Sequence, residues 1–171
     1  LNLLLEHVDV ERLVSLASVF VDRFPGGTTF GLVGTLGAGK TRLVQGIAEA
    51  LRVDVSEVTS PTFTLLQSHS GLVGDTGEPR TLHHLDAYRI ADEDEFFELG
   101  VEELFDDTDA WTIVEWADLV RDVMPVETVW IEMKLEAVDE WRTLEIRSSD
   151  ATMNDSIELL RQACDERGWM R

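Results

Sequence analysis

Basic residues are scarce in this 171-residue chain: 14 Lys and Arg stand against 34 Asp and Glu, a net charge of −20. So acidic a molecule repels other polyanions at long range, which argues against autonomous binding to DNA, tRNA or an anionic membrane. Lysine is nearly missing, with Lys40 and Lys134 alone among the arginines. Cysteine occurs once, as Cys164, which excludes an intramolecular disulfide and a cysteine-based metal cluster and suits a reducing, cytoplasmic compartment. Long apolar runs are lacking too. Glu6, Asp9, Glu11 and Arg12 interrupt the opening leucines, so neither a signal-peptide core nor a membrane-spanning helix is expected. What the chain does have is 44% hydrophobic residues, too many for a disordered acidic segment. Its length suits one packed domain over residues 1–171.

Periodicity gives the layout. Residues 3–5 read as a strand, and 9–24 as an amphipathic helix with Leu13, Ala17, Phe20 and Val21 on one stripe. A β-rich run at 28–33 feeds the glycine turn Gly34–Gly39, and helical spacing resumes over 40–51. Short strands are predicted at 63–67, 81–85, 111–114, 129–133 and 143–146. Gly71, Gly74, Gly77 and Pro79 mark 68–80 as an exposed hairpin connection or mobile loop. Short acidic helices are predicted at 92–99 and 101–105, split by Gly100, with a terminal helix at 153–167. Alternating strands and helices indicate an α/β layered fold with parallel pairing; the last two strands are expected to add antiparallel pairing at one edge.

Gly34-Thr35-Leu36-Gly37-Ala38-Gly39-Lys40-Thr41 fits G-x-x-x-x-G-K-[ST] in full. Such a turn converges backbone N–H groups on phosphate oxygens, and the following helix directs its positive end there. Lys40 is suited to reach β- and γ-phosphates and the Thr41 hydroxyl to ligate Mg²⁺. Asp86 ends the run 81–85 at the sheet edge where α/β ligands bind, as a candidate Mg²⁺ partner or a strand-terminating Asp. Glu115 ends the run 111–114 at the same edge, either orienting an attacking water or capping the next helix. Ser60 and Thr62, in Ser60-Pro61-Thr62-Phe63-Thr64, either answer the γ-phosphate as a switch does or open a strand. His83 and His84 point to opposite faces of a strand and read as packing or hydrogen-bonding residues. The five tryptophans are too dispersed for a base-stacking platform. No Asn-Lys-x-Asp guanine reader exists, since neither lysine follows an Asn.

The order of these segments resembles the bacterial TsaE family, formerly YjeE. The resemblance runs from about Thr28 to Met133 and rests on the glycine motif, Ser60-Pro61-Thr62-Phe63-Thr64-Leu65, His84-Leu85-Asp86-x-Tyr88-Arg89, Glu98-Leu99-Gly100 and Glu115-Trp116. It implies a small ATPase needed to make threonylcarbamoyladenosine in tRNA. The implied fold is a P-loop NTPase-like three-layer sandwich, its parallel central sheet flanked by antiparallel strands. It further implies that Gly37, Gly39, Lys40 and Thr41 bind the ATP phosphates and Mg²⁺, within a loop that includes Gly34, Thr35, Leu36 and Ala38 and leads into Arg42. Thr62 would lie near the γ-phosphate, Asp86 would partner magnesium, and Glu115 and Trp116 would lie beside the nucleotide. Glu115 would position water and share the metal with Thr41 and Asp86. The implied partners are TsaD and TsaB, with tRNA met only through that complex, no DNA and no membrane.

The chain departs from the family's usual pattern at several points. Thr35 stands where an acidic residue or Asn is usual, and Arg42 where a second Thr is. Ala87 replaces a Leu and His69 a Tyr, and nothing beyond Leu135 carries a motif. Two other readings accompany the first: a P-loop kinase for a small metabolite, and a nucleotide-gated binding module without turnover.

Overall fold

Asp9 starts the first helix by accepting the Arg12 backbone N–H at 2.7 Å, an N-cap bond. The helix α1 (Val10–Arg23) then buries Leu13, Leu16, Ala17 and Phe20 on the stripe its spacing announces. In the computed structural model, which describes residues 1–74, 76–137 and 140–170, β1 (Asn2–Val8) precedes it. After it come β2 (Thr29–Gly34), α2 (Lys40–Ala50), β3 (Leu66–Val73), β4 (Glu78–Asp86), α3 (Glu93–Glu98) and α4 (Val101–Asp106). The chain continues with β5 (Ala110–Glu115), β6 (Val129–Leu135), β7 (Arg142–Arg147) and α5 (Asn154–Glu166). No helix among the described residues is long and apolar enough to cross a membrane.

The strands form one seven-stranded mixed sheet in the order β1-β7-β6-β2-β5-β4-β3. β6, β2, β5 and β4 run parallel, while β7 and β1 on one side and β3 on the other run antiparallel. Because alternate residues face opposite sides, each central strand feeds two cores. Ile113 and Ile131 join Phe30, Leu43 and Leu160 under α1, α2 and α5. Their neighbours Val114 and Trp130 join Phe96, Val101 and Val120 on the opposite face.

Three expectations change. The segment 68–80 is the hairpin connection of its two readings and not a mobile loop, and its strands run longer than expected: β3 and β4 pair from Leu66↔Leu85 to Val73↔Glu78. Asp75, between those strands, lies outside the described residues. Gly71 misled the reading because glycine is required there by close approach rather than by a turn. A Cβ on it would come within 2.5 Å of the Leu51 carbonyl, and Leu72 N–H donates to that carbonyl at 2.7 Å. The strand expected from 63 starts at Leu66, because Leu65 is left-handed (φ 65°) and its N–H turns back to the Pro61 carbonyl. Finally, β6 belongs to the parallel centre through Phe30↔Val129 to Gly34↔Met133, so the antiparallel additions are β7 and β1.

Phe30 stands at the middle of the larger core, with ring centroids 5.2 Å from both Phe24 and Trp111 and 5.9 Å from Phe20. Phe30→Ala should destabilise the protein by about 3–5 kcal/mol, read as a lower denaturation midpoint with an unchanged m-value. A loss below about 1 kcal/mol would show that this face repacks freely.

Candidate functional site

The parallel register decides which side chains meet. β2 ends in the glycine loop, and its neighbour β5 ends at Glu115, which pairs in register with Asp86 at the end of β4. Gly34 leaves β2 at φ 155°, where a Cβ would lie 2.5 Å from the Met133 carbonyl. Gly39 caps α2 at φ 107° and has no side chain to satisfy the first-turn N–H groups, which are left facing outward from the helix start. Between them the Thr35 carbonyl accepts the Ala38 N–H at 3.1 Å and closes the turn. A cleft of about 410 Å³ opens over the loop, lined by Leu36, Gly37, Gly39 and Arg42 on one side and Tyr88 and Trp116 on the other.

Inside the cleft the polar groups interlock. Lys40 Nζ donates to the Gly34 and Thr35 carbonyls at 2.6 and 3.1 Å and lies 3.7 Å from the Trp116 ring centre. Burial pushes the Lys40 ammonium below the usual lysine range, and the charges of Glu115, Asp86 and Asp118 draw it part of the way back. The Thr41 hydroxyl lies 2.8 and 3.0 Å from the two Glu115 oxygens. Asp86 Oδ2 accepts from Ser60 Oγ at 2.7 Å and Thr62 Oγ1 at 3.0 Å, and Oδ1 accepts the Tyr88 backbone N–H at 2.9 Å. Asp86 and Glu115 are each 2% exposed, so both carboxylates depend on these donors. Trp116 is left-handed (φ 57°) immediately after β5, and its ring centre is 4.8 Å from that of Tyr88.

The matching family model, "Threonylcarbamoyl adenosine biosynthesis protein TsaE", covers residues 7–144. The chain belongs to the TsaE family. The tRNA threonylcarbamoyladenosine biosynthesis protein TsaE of Treponema pallidum is 38% identical over 111 residues, 65% of this chain and 76% of that protein. The protein of the same name from Bacillus subtilis is 35% identical over 133 residues, 78% of each. The crystal structure of Bacillus subtilis YdiB superposes with a TM-score of 0.73 at 28% identity, covering 95% of this chain and 96% of that one. The TsaE match reaches back to the end of β1 and forward into β7, beyond the segments that carried the resemblance.

Every site residue expected from the TsaE-like motifs lies at this cleft or in its loop. Arg42, in the first turn of α2, bonds Gln45 at 3.4 Å. Asp86 makes the side-chain–backbone bond of a strand-terminating Asp, to the Tyr88 N–H, and also accepts the Ser60 and Thr62 hydroxyls, while Glu115 accepts from Thr41 and does not cap the segment after β5. Three neighbours escaped the sequence reading in part. Tyr88 gives a wall and a backbone donor, Ser60 binds Asp86 beside Thr62, and His84 Nε2 lies 2.8 Å from Glu115 Oε1. Strand alternation was the available signal for His84, which shares a face with Asp86 two residues on.

The Ser60–Thr62 loop is held to the sheet by two hydroxyl bonds to one carboxylate. Bonds to charged groups are worth about 1.5–3 kcal/mol each. Asp86→Ala should therefore speed amide hydrogen exchange in 59–65 by at least about tenfold while the Phe30 core stays protected. Unchanged exchange there would mean that the loop is held by other contacts.

Proposed function

We propose that this chain is an ATP hydrolase of tRNA threonylcarbamoyladenosine biosynthesis, one P-loop NTPase-like α/β domain that binds Mg-ATP and works with TsaD and TsaB. The observation that carries the reading is the convergence of the Gly34–Thr41 loop with Asp86 and Glu115 at the ends of three adjacent parallel strands. The role named in its relatives' descriptions, tRNA threonylcarbamoyladenosine biosynthesis, supports the pathway.

In this reading the N–H groups of Gly37, Gly39 and Lys40, at the start of α2, take the phosphates. Gly34, Thr35, Leu36 and Ala38 shape the loop, and Arg42 closes its far side. Lys40 exchanges its bonds to the loop carbonyls for phosphate oxygens. The donors at hand suit Mg²⁺, a hard cation that takes oxygen ligands, one or two carboxylates and phosphate among them. Thr41 and Glu115, hydrogen-bonded to each other, and Asp86, in register with Glu115, offer a hydroxyl and two carboxylates lining one cleft. Held by these residues, Mg²⁺ would supply charge neutralisation to the nucleotide's phosphates. Glu115 also orients the attacking water, Thr62 reports the γ-phosphate through Asp86, and Trp116 walls the nucleotide off from solvent.

Intrinsic hydrolysis is slow in this reading. Arg42 is bonded to Gln45 and Arg89 lies over the Phe63 ring, 4.5 Å from its centre, so neither arginine is poised over the loop to neutralise a transferring phosphoryl group. Acceleration then falls to the partner proteins. The acidic subunit need not hold tRNA itself, and its charge suits a basic docking surface on TsaD–TsaB.

The test is ATP turnover by the purified chain with and without TsaD–TsaB: turnover should rise with the complex. Phosphate transfer to a small metabolite in the absence of partners would establish a kinase instead. Lys40→Ala should lower ATP affinity by about 10–100-fold, measured calorimetrically, as the loss of a charged hydrogen-bond donor predicts. Nucleotide affinity unaffected by that change would remove the loop from the site. Asp86→Ala should keep magnesium-free nucleotide binding and lose magnesium-dependent turnover.

A further inference from the structure

His84 is wholly buried on β4, one of the strands that end at the cleft. Its Nε2 lies 2.8 Å from Glu115 Oε1, and its Nδ1 is buried with no partner among the described residues. Glu115 sits two residues further along the register, since His84 pairs with Ile113 and Asp86 with Glu115. The contact is therefore a diagonal one between neighbouring strands. An imidazole with one orphaned nitrogen costs roughly 1–3 kcal/mol, so packing alone favours an apolar residue at this position. What histidine supplies there is the hydrogen bond to Glu115.

That bond has a direction. A carboxylate only accepts, so the Nε2 atom carries the proton and donates it to Oε1. The Thr41 hydroxyl, 2.8 and 3.0 Å from the same carboxylate, gives Glu115 its single hydrogen and keeps its lone pairs for the cleft. We propose that His84 is a positioning residue: it fixes the rotamer of Glu115 and, through Glu115, the direction of the Thr41 hydroxyl, so that oxygen lone pairs face the cation of a bound Mg-nucleotide. Partners of this kind behind a metal's ligands change affinity or activity by about 10–100-fold when lost. The inference rests on the Mg-ATP reading above and adds to it a residue that touches neither metal nor nucleotide.

Three variants of the full chain test it: His84→Phe, which keeps the ring volume and loses the donor; His84→Gln, whose amide nitrogen reaches the Nε2 position; and His84→Asn, whose amide stops short at the Nδ1 position. ATP affinity is measured by calorimetry with Mg²⁺ and with EDTA, alongside thermal melting. Affinity in EDTA should stay within about twofold of wild type in all three. The enhancement given by Mg²⁺ should fall at least about tenfold in His84→Phe and His84→Asn and be largely restored in His84→Gln. Should the Phe variant not fold, the Gln and Asn pair carries the comparison. Nitrogen NMR of the nucleotide-free protein gives an independent readout, with the His84 proton expected on Nε2. Equal magnesium enhancement in Gln and Asn variants, or a proton found on Nδ1 alone, overturns the role of His84 and leaves the nucleotide reading standing. Wild-type protein that binds ATP no better with Mg²⁺ overturns the Mg-ATP reading first, and this inference with it.

Discussion

Two carboxylates stand side by side at the ends of β4 and β5, each almost fully removed from solvent. Burying one unpaired charge costs several kcal/mol, and burying two like charges in adjacent strands costs more. The surroundings offset that cost with donors gathered from separate parts of the chain. Ser60 and Thr62 come from the loop after α2, Tyr88 from the turn after β4, Thr41 from α2 and His84 from within β4. Lys40, the nearby cation, lies close enough for both carboxylates to raise its proton affinity against the effect of burial. Removing any one contributor leaves an oxygen short of a partner, so the site and the local fold are one problem with one solution.

Lys40 is held in the cleft by uncharged partners. Its ammonium is shared between two loop carbonyls and the face of Trp116. Each of these contacts is weaker than a bond to a phosphate oxygen, because the acceptors are neutral. In the proposed function an arriving polyanion exchanges these neutral partners of Lys40 for charged ones. Trp116 holds a left-handed conformation that costs a non-glycine residue of order 1–3 kcal/mol. The packing of Tyr88 and the Lys40 contact hold it there, and such strain is characteristic of sites where a side chain must be aimed rather than merely buried.

The glycine loop was legible because its chemistry is local. A strand, a turn that tolerates positive φ and a helix lie consecutively in Thr29–Ala50, and each announces itself by spacing. Asp86 and Glu115 were legible for a related reason, since both end apolar runs at one predicted edge. The direction of β6 was not, because strand order depends on which hydrophobic faces meet in three dimensions. The full length of the β3–β4 strands hid behind Gly71, which serves a backbone contact with Leu51 from another element. His84 hid for the opposite reason. Its residue type fits an ordinary buried strand position, and only the register with β5 turns it toward Glu115.

The acidity of the chain sharpens what the cleft must accomplish. A net charge of −20 opposes the approach of a triphosphate over the whole surface. That opposition is screened beyond about 8 Å at physiological ionic strength, whereas contacts inside the cleft are not. Backbone amides, the α2 terminus and one ammonium act within hydrogen-bond distance, in a medium of lower effective dielectric where each charge counts for more. Two buried carboxylates beside the same loop would repel phosphate on their own account, and in the proposed function a divalent cation between them and the anion offsets that repulsion. In the proposed function, the same carboxylates that would repel bare ATP would hold the metal that accompanies it. In the proposed function the surplus of surface charge, the buried pair and Lys40 act as parts of one electrostatic scheme, which favours a metal–polyanion complex over the polyanion alone.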